Sequence, residues 1–236
     1  MILYEKAWQA IEARIAAAAR AAGRDSTQIR VLAVSKTVPA AAIRDAWRAG
    51  QRAFGENYVQ EAIAKRSDLG DLEGVQWHLI GPLQGNKARL AAGGFDWVQT
   101  IDRLPIAERL SAARAPGLPA LNVCVQVNIS GEASKRGCAP ESAQALAQAV
   151  SQLPRLALRG FMGIAQEIPD GALQRAQLRA LREIYEVARA QGHALDTLSM
   201  GMSGDLEAAV AEGATLLRIG SALFGPRPAR IEAEKT

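Results

Sequence analysis

The chain is poor in cysteine and histidine, with two of each in 236 residues, and in aromatic rings, with four Trp, three Tyr and four Phe. Cys124 and Cys138 have neither CxxC nor metal-ligand spacing, so they read as free thiols, not as a disulfide framework or a zinc or other metal site. His78 follows Trp77 in an apolar strand and reads as a core or rim histidine; His193, in "AQGHALD", reads as surface. No uninterrupted apolar run reaches membrane-spanning length, and the opening "MILYEKAWQA" carries Glu5 and Lys6 where a signal peptide needs its apolar centre. A soluble, cytoplasmic protein without a membrane partner is expected. Charge of one sign is also missing: 28 basic residues face 24 acidic ones. The arginines are spread along helical faces such as "LQRAQLRALREIYEVARA", without the aromatic-studded basic stripe that nucleic-acid binding needs, so no nucleic-acid partner is expected.

What is abundant is alternation. About half of the residues, 49%, are apolar, enough for a substantial core. A first helix is predicted over Tyr4 to Ala22, with Trp8, Ile11, Ile15 and Ala19 on one face and Gly23 as its stop. After it, short apolar runs recur near Val31–Val34, Ala53–Gly55, Val75–Ile80, Trp97–Thr100, Leu121–Ile129, Leu156–Phe161, Thr197–Ser199 and Leu216–Ile219, separated by helical segments rich in Ala and Leu. Eight strands alternating with helices require parallel pairing through right-handed crossovers, and eight βα units in this length fit a closed (β/α)8 TIM barrel of the α/β class better than an open doubly wound sheet. No linker or low-complexity tract divides the chain, so residues 1–236 are expected to form one barrel domain preceded by an extra N-terminal helix.

In such a barrel the C-terminal ends of the strands converge on one face, where ligand chemistry collects. Strand 2 exits at "GENY", strand 3 at "WHLIGPLQGNK", strand 5 at "VNISGEASKRG" and strand 6 at "GFMGIA". The last two exits carry most information. "SMGMSGD" places Gly201, Ser203 and Gly204 before a helix, and "RIGSALFG" places Gly220 and Ser221 at the next exit. Either motif alone reads as a capped turn; on neighbouring strands 7 and 8 they point to phosphate.

The chain has only six lysines, and Lys36 alone directly continues an apolar strand, "RVLAVSKTVP". Partial desolvation there, with an arginine across the barrel, would lower its pKa and free the amine to attack an aldehyde. A Schiff-base lysine opposite a phosphate cradle points to pyridoxal 5′-phosphate (PLP). Lys87 and Lys135, which also follow glycine-containing loops, read as solvated loop lysines.

Seven ordered motifs, "LAVSKTVP", "FGENYVQEA", "WHLIGPLQGNK", "VNISGEASKRG", "GFMGIA", "LSMGMSGDLEAA" and "LRIGSALFG", together resemble the YggS/PROSC family, the pyridoxal phosphate homeostasis proteins, over nearly the whole chain. The resemblance implies a single barrel like the N-terminal domain of alanine racemase, with PLP held as a Schiff base on Lys36. It implies phosphate contacts from the turn of Ser199, Met200, Gly201 and Ser203 and from Gly220 and Ser221, Arg218 facing the pyridine nitrogen, and Asn57 close to the cofactor.

An arginine at that position disfavours protonation of the ring and so weakens carbanion chemistry. A purely structural role, with Arg218 pairing a carboxylate such as Asp205, is the alternative. Racemisation also needs an acid or base on the far face of the substrate, which alanine racemases take from a second domain and a partner subunit. After Phe224 only "GPRPARIEAEKT" remains, too short for that domain; Tyr58, His78 and Cys124 are the remaining candidates. The expectation is a monomeric PLP-binding protein of intracellular PLP homeostasis, not an efficient enzyme, that holds the cofactor and delivers it to PLP-dependent apo-enzymes. A weak PLP-dependent amino-acid racemase and a lysine-dependent aldolase are the alternatives.

Overall fold

The computed structural model describes residues 2–132 and 134–225. The reading of the last residues as too short for a second domain falls on Pro226 to Thr236, outside the described residues. A long helix α1 (Ile2–Ala21) precedes eight strands: β1 (Arg30–Val34), β2 (Ala53–Glu56), β3 (Gln76–Leu79), β4 (Trp97–Ile101), β5 (Leu121–Val127), β6 (Leu156–Gly163), β7 (Thr197–Ser199) and β8 (Leu216–Ile219). The main crossover helices are α2 (Ala40–Arg48), α3 (Val59–Asp68), α4 (Ala88–Gly94), α5 (Leu104–Ala113), α6 (Ala143–Ser151), α7 (Gly171–Ala190) and α8 (Leu206–Ala211), and a short α9 (Ser221–Phe224) follows β8. The strands pair in sequence order, all parallel, and β1 pairs with β8, so the sheet closes into the expected (β/α)8 barrel. No helix among the described residues is long and apolar enough to cross a membrane.

Alternation along each strand sorts side chains between a shell and an interior. Ala33 on β1, Trp77 and Leu79 on β3, Leu198 on β7 and Leu217 and Ile219 on β8 join the large core between sheet and helices. A second, small cluster gathers Trp97 of β4, Cys124 of β5 and Met162 of β6. Both cysteines are free, Cys124 buried and Cys138 half-buried.

The predicted strand ends shift where side chains redirect the backbone. β5 stops at Val127, two residues before the expected end, because Asn128 Nδ2 donates to Glu132 O at 2.9 Å and Ser130 Oγ donates to Asn128 Oδ1 at 3.0 Å, a local side-chain turn that replaces the ladder. β6 runs on to Gly163, beyond the expected Phe161, because Met162 and Gly163 find register partners in Gln126 and Val127 of β5.

Helix α1 buries Ile11, Ile15 and Ala19 as expected, with Trp8 half-buried. It also reaches the C-terminal face of the barrel: Arg14 donates to Ser203 O at 2.9 Å and to Glu207 Oε1 of α8 at 2.8 Å. The loops at that face lie close together. A Cβ at Gly81, after β3, would collide with the backbone carbonyl of Asn57, after β2, so only glycine permits this approach. Gly81→Ala is therefore expected to destabilise the fold by about 1–3 kcal/mol. Denaturant unfolding checks this; a midpoint equal to that of the parent protein would show that the two loops can part without cost.

Candidate functional site

The turn that follows β1 is fixed on both sides of Lys36. Ser35, fully buried, donates its backbone N–H to Gly55 O at 2.9 Å and its Oγ to Glu56 Oε1 at 2.6 Å. Lys65, from α3, donates to Ser35 O at 2.7 Å, Glu56 Oε1 at 2.9 Å and Glu61 Oε1 at 2.6 Å. The same Glu61 oxygen accepts the N–H of Thr37 at 2.7 Å. Thr37 has φ of 63°, a left-handed conformation that a β-branched residue rarely adopts, so this contact holds a strained backbone in place. One ammonium and two carboxylates thus clamp the residues that flank Lys36, which is itself half-buried.

The opposite wall is built from β7 and β8. Arg218 is buried; it donates from one Nη to Ser199 Oγ at 2.8 Å and from the other to Gly163 O at 2.8 Å. Burial lowers its pKa to about 10, partly offset by the field of Asp205, so it remains a cation at neutral pH. Asp205 Oδ1 accepts the Met202 N–H at 2.6 Å, and burial pushes its carboxyl up against that hydrogen bond and the Arg218 charge. Among the described residues, Arg218's hydrogen bonds go to a hydroxyl and a carbonyl, not to Asp205.

Lys36 and Arg218 line one open cavity of about 450 Å³ at the C-terminal ends of the strands. Asn57, Ser203, Gly220 and Ser221 line it with them, so six of the nine residues selected from sequence meet there. No backbone acceptor among the described residues takes the N–H groups of Ser203, Gly204, Gly220 or Ser221. Ser199, Met200 and Gly201 stand behind the wall. Ser199 is fully buried beneath Arg218. Met200, also fully buried, packs into the helix shell and gives its N–H to Leu216 O at 3.2 Å. Gly201, at φ of 92°, takes the Arg218 N–H on its carbonyl at 2.9 Å, and a Cβ there would lie 2.5 Å from that of Ala209.

Tyr58, His78 and Cys124, the remaining acid–base candidates, are not in the cavity lining. Tyr58 is exposed, while burial lowers the His78 pKa to about 3 and raises that of the Cys124 thiol to about 12. Lys87 and Lys135 do not line the cavity either; Lys135 is exposed, as expected, and Lys87 is half-buried. Sequence reasoning missed Lys65, whose only local signal is its i,i+4 spacing from Glu61, and Glu167 and Gln174, which line the cavity between β6 and α7.

A closed parallel barrel with an amine at the exit of β1 and glycine–serine turns after β7 and β8 belongs to the ligand-binding (β/α)8 class. The family model for the alanine racemase N-terminal domain matches residues 7–228. A pyridoxal phosphate homeostasis protein of Pseudomonas aeruginosa is 58% identical over 217 residues, covering 92% of this chain and 93% of its own. PipY of Synechococcus elongatus PCC7942, solved with PLP bound, is 40% identical with a TM-score of 0.78, over 91% of this chain and 100% of that one. Alanine racemase of Clostridium difficile shares the fold alone, at 12% identity and a TM-score of 0.72, with 54% of its length matched. The chain belongs to the pyridoxal phosphate homeostasis protein family, within the alanine racemase N-terminal domain superfamily.

The clamp has a measurable signature. Burial raises the Glu56 carboxyl despite its bonds to Ser35 and Lys65, and its Oε2 has no hydrogen-bond partner among the described residues. In Lys65→Met that carboxylate keeps its burial and loses its cation, which is expected to destabilise the fold by about 3–5 kcal/mol at pH 8. A carboxyl whose folded pKa exceeds its unfolded value binds more protons when folded, so stability falls as pH rises through that interval. The deficit should therefore shrink at pH 5. Urea unfolding at both pH values tests this, and a deficit equal at both would argue against a buried Glu56 charge.

Proposed function

We propose that this protein binds PLP reversibly through Lys36 and acts in intracellular PLP homeostasis as a carrier. The observation that carries the reading is the meeting of Lys36, Arg218 and the two glycine–serine turns in one cavity. The donor set fits the cofactor's parts. The cavity volume lies within the range of small-molecule sites. Lys36 offers a primary amine to the aldehyde. Ser203, Gly204, Gly220 and Ser221 offer backbone N–H groups and hydroxyls to the phosphate, and Asn57 lines the wall beside Lys36. Ser199, Met200 and Gly201 serve this site from behind, as supports of Arg218 and of the turn.

PLP, when bound, supplies an aldehyde for imine chemistry and a ring that accepts negative charge best when its nitrogen is protonated. Arg218 faces that nitrogen in this reading. A buried cation there opposes its protonation.

Turnover is weakly supported for a second reason. Among the described residues, the titratable side chains in the lining are Lys36, Arg218, Asp205 and Glu167. Asp205 is engaged with the Met202 N–H, and Glu167 is exposed at the rim. Glu167 is the observation that favours a slow amino-acid racemase as the second reading. The carrier reading takes residues 1–236 as one PLP-binding domain that works as a cytoplasmic monomer and hands PLP to apo-enzymes; a cavity open on one side suits release.

The purified protein is expected to show a visible band after PLP addition, and Lys36→Ala to lack it. In heavy water with PLP and L-alanine, α-hydrogen exchange should stay near the rate of free PLP. Sustained exchange that Glu167→Gln abolishes would replace the carrier with the racemase.

A further inference from the structure

The barrel interior holds a polar chain that neither the cavity nor the core accounts for. Arg218 of β8 donates to Ser199 Oγ of β7 at 2.8 Å; Ser199 Oγ donates to Gln99 Oε1 of β4 at 2.6 Å; and Gln99 Nε2 meets His78 Nδ1 of β3 at 2.9 Å. Ser199 and Gln99 are fully buried, and His78 and Arg218 are nearly so. The Ser199–Gln99 link crosses the barrel, from β7 to β4.

The guanidinium fixes the direction of the first bond, and the amide orientation of Gln99 fixes the rest. A guanidinium only donates, so Ser199 Oγ must accept from it and has one hydrogen left to give. That hydrogen goes to Gln99 Oε1, which turns the amide so that Nε2 faces the imidazole. An amide nitrogen also only donates, so His78 Nδ1 must accept, and the ring proton sits on Nε2. With the amide reversed, the Ser199 hydrogen would have no acceptor along the chain; in the direction taken here it is the His78 Nε2–H that is buried without an acceptor among the described residues. His78 is stacked on Trp97, with ring centroids 5.0 Å apart and planes at 7°, so the far end of the chain is held rigidly.

We propose that Gln99, acting through Ser199 and anchored by His78, is a positioning residue that sets the orientation of the Arg218 guanidinium toward the bound cofactor. This rests on the reading of the cavity as a PLP site. With Gly163 O holding one Nη and Ser199 the other, the guanidinium cannot rotate without leaving a buried donor unpaired. Ring protonation does not interfere at ordinary pH, because burial, reinforced by Arg30, lowers the His78 pKa to about 3.

Two arms test the proposal. His78 and His193 are the only histidines, so long-range proton–nitrogen NMR resolves both rings in the unmodified protein. His78 is expected to be neutral, with its proton on Nε2, from about pH 5 to 8. A proton on Nδ1, or a charged ring within that range, would overturn the relay. In the second arm PLP is titrated into the parent protein, Gln99→Leu, Ser199→Ala and Ser199→Thr. The first two variants should weaken PLP about tenfold and shift its visible band: Ser199→Ala takes the acceptor from a buried Arg218 Nη, and Gln99→Leu takes the acceptor from the Ser199 hydroxyl, which then no longer has one fixed orientation beneath Arg218. Ser199→Thr keeps the hydroxyl and should stay within about twofold of the parent. Unchanged affinity and band position in Gln99→Leu and Ser199→Ala would sink the positioning role. Failure of the parent protein itself to take up PLP would instead sink the reading on which it rests.

Discussion

Everything at this site depends on the closure of the sheet between its first and last strands. The register Arg30 with Leu216, through to Ala33 with Ile219, brings the exit of β1 beside the exit of β8. Lys36 and the Gly220–Ser221 turn, 184 residues apart in sequence, become neighbours by that pairing alone. Parallel strands make closure effective: every strand ends on the same face, so polar residues placed after apolar runs are gathered there without any further device.

Within that frame the site works by immobilising what stands behind its reactive groups. Lys36 projects from a turn whose neighbours are clamped by Lys65, Glu56 and Glu61, an ion cluster that holds a strained Thr37. Arg218 is held from below by a hydroxyl and a carbonyl and feels Asp205 only through its field. An amine and a guanidinium therefore share one cavity, the first on a turn whose flanking residues are clamped and the second held by groups outside it. Such an arrangement favours an anionic, aldehyde-bearing ligand and gives little help to a carbanion. Shape, charge and open access together suit a reversible holder.

Much of this was legible in the sequence because it follows from alternation. Eight apolar runs, each ending in polar residues or glycine, imply the barrel, and Lys36 stands out because it alone among the lysines extends such a run. Parity also carries information that residue type obscures. In "TLSMG", Leu198 and Met200 point to the helix shell and Ser199 to the interior, so the two could not serve the cavity alike. "QWHL" and "WVQTI" each carry one inward polar residue, His78 and Gln99, but nothing local reveals that they meet each other or reach Ser199 across the barrel. Lys65 was hidden for the opposite reason: its spacing from Glu61 looks like an ordinary surface pair, whereas its burial comes from the packing of α3 against β2. The polar supports were invisible because each depends on a contact between distant strands or helices.

Which amine carries the cofactor decides whether the exit of β1 is the anchor of the site. The decisive measurement is borohydride reduction of the protein loaded with PLP, followed by peptide mass mapping of the fixed adduct. The account predicts one adduct, on Lys36. An adduct on Lys65, Lys87 or Lys135 with Lys36 unmodified would contradict it.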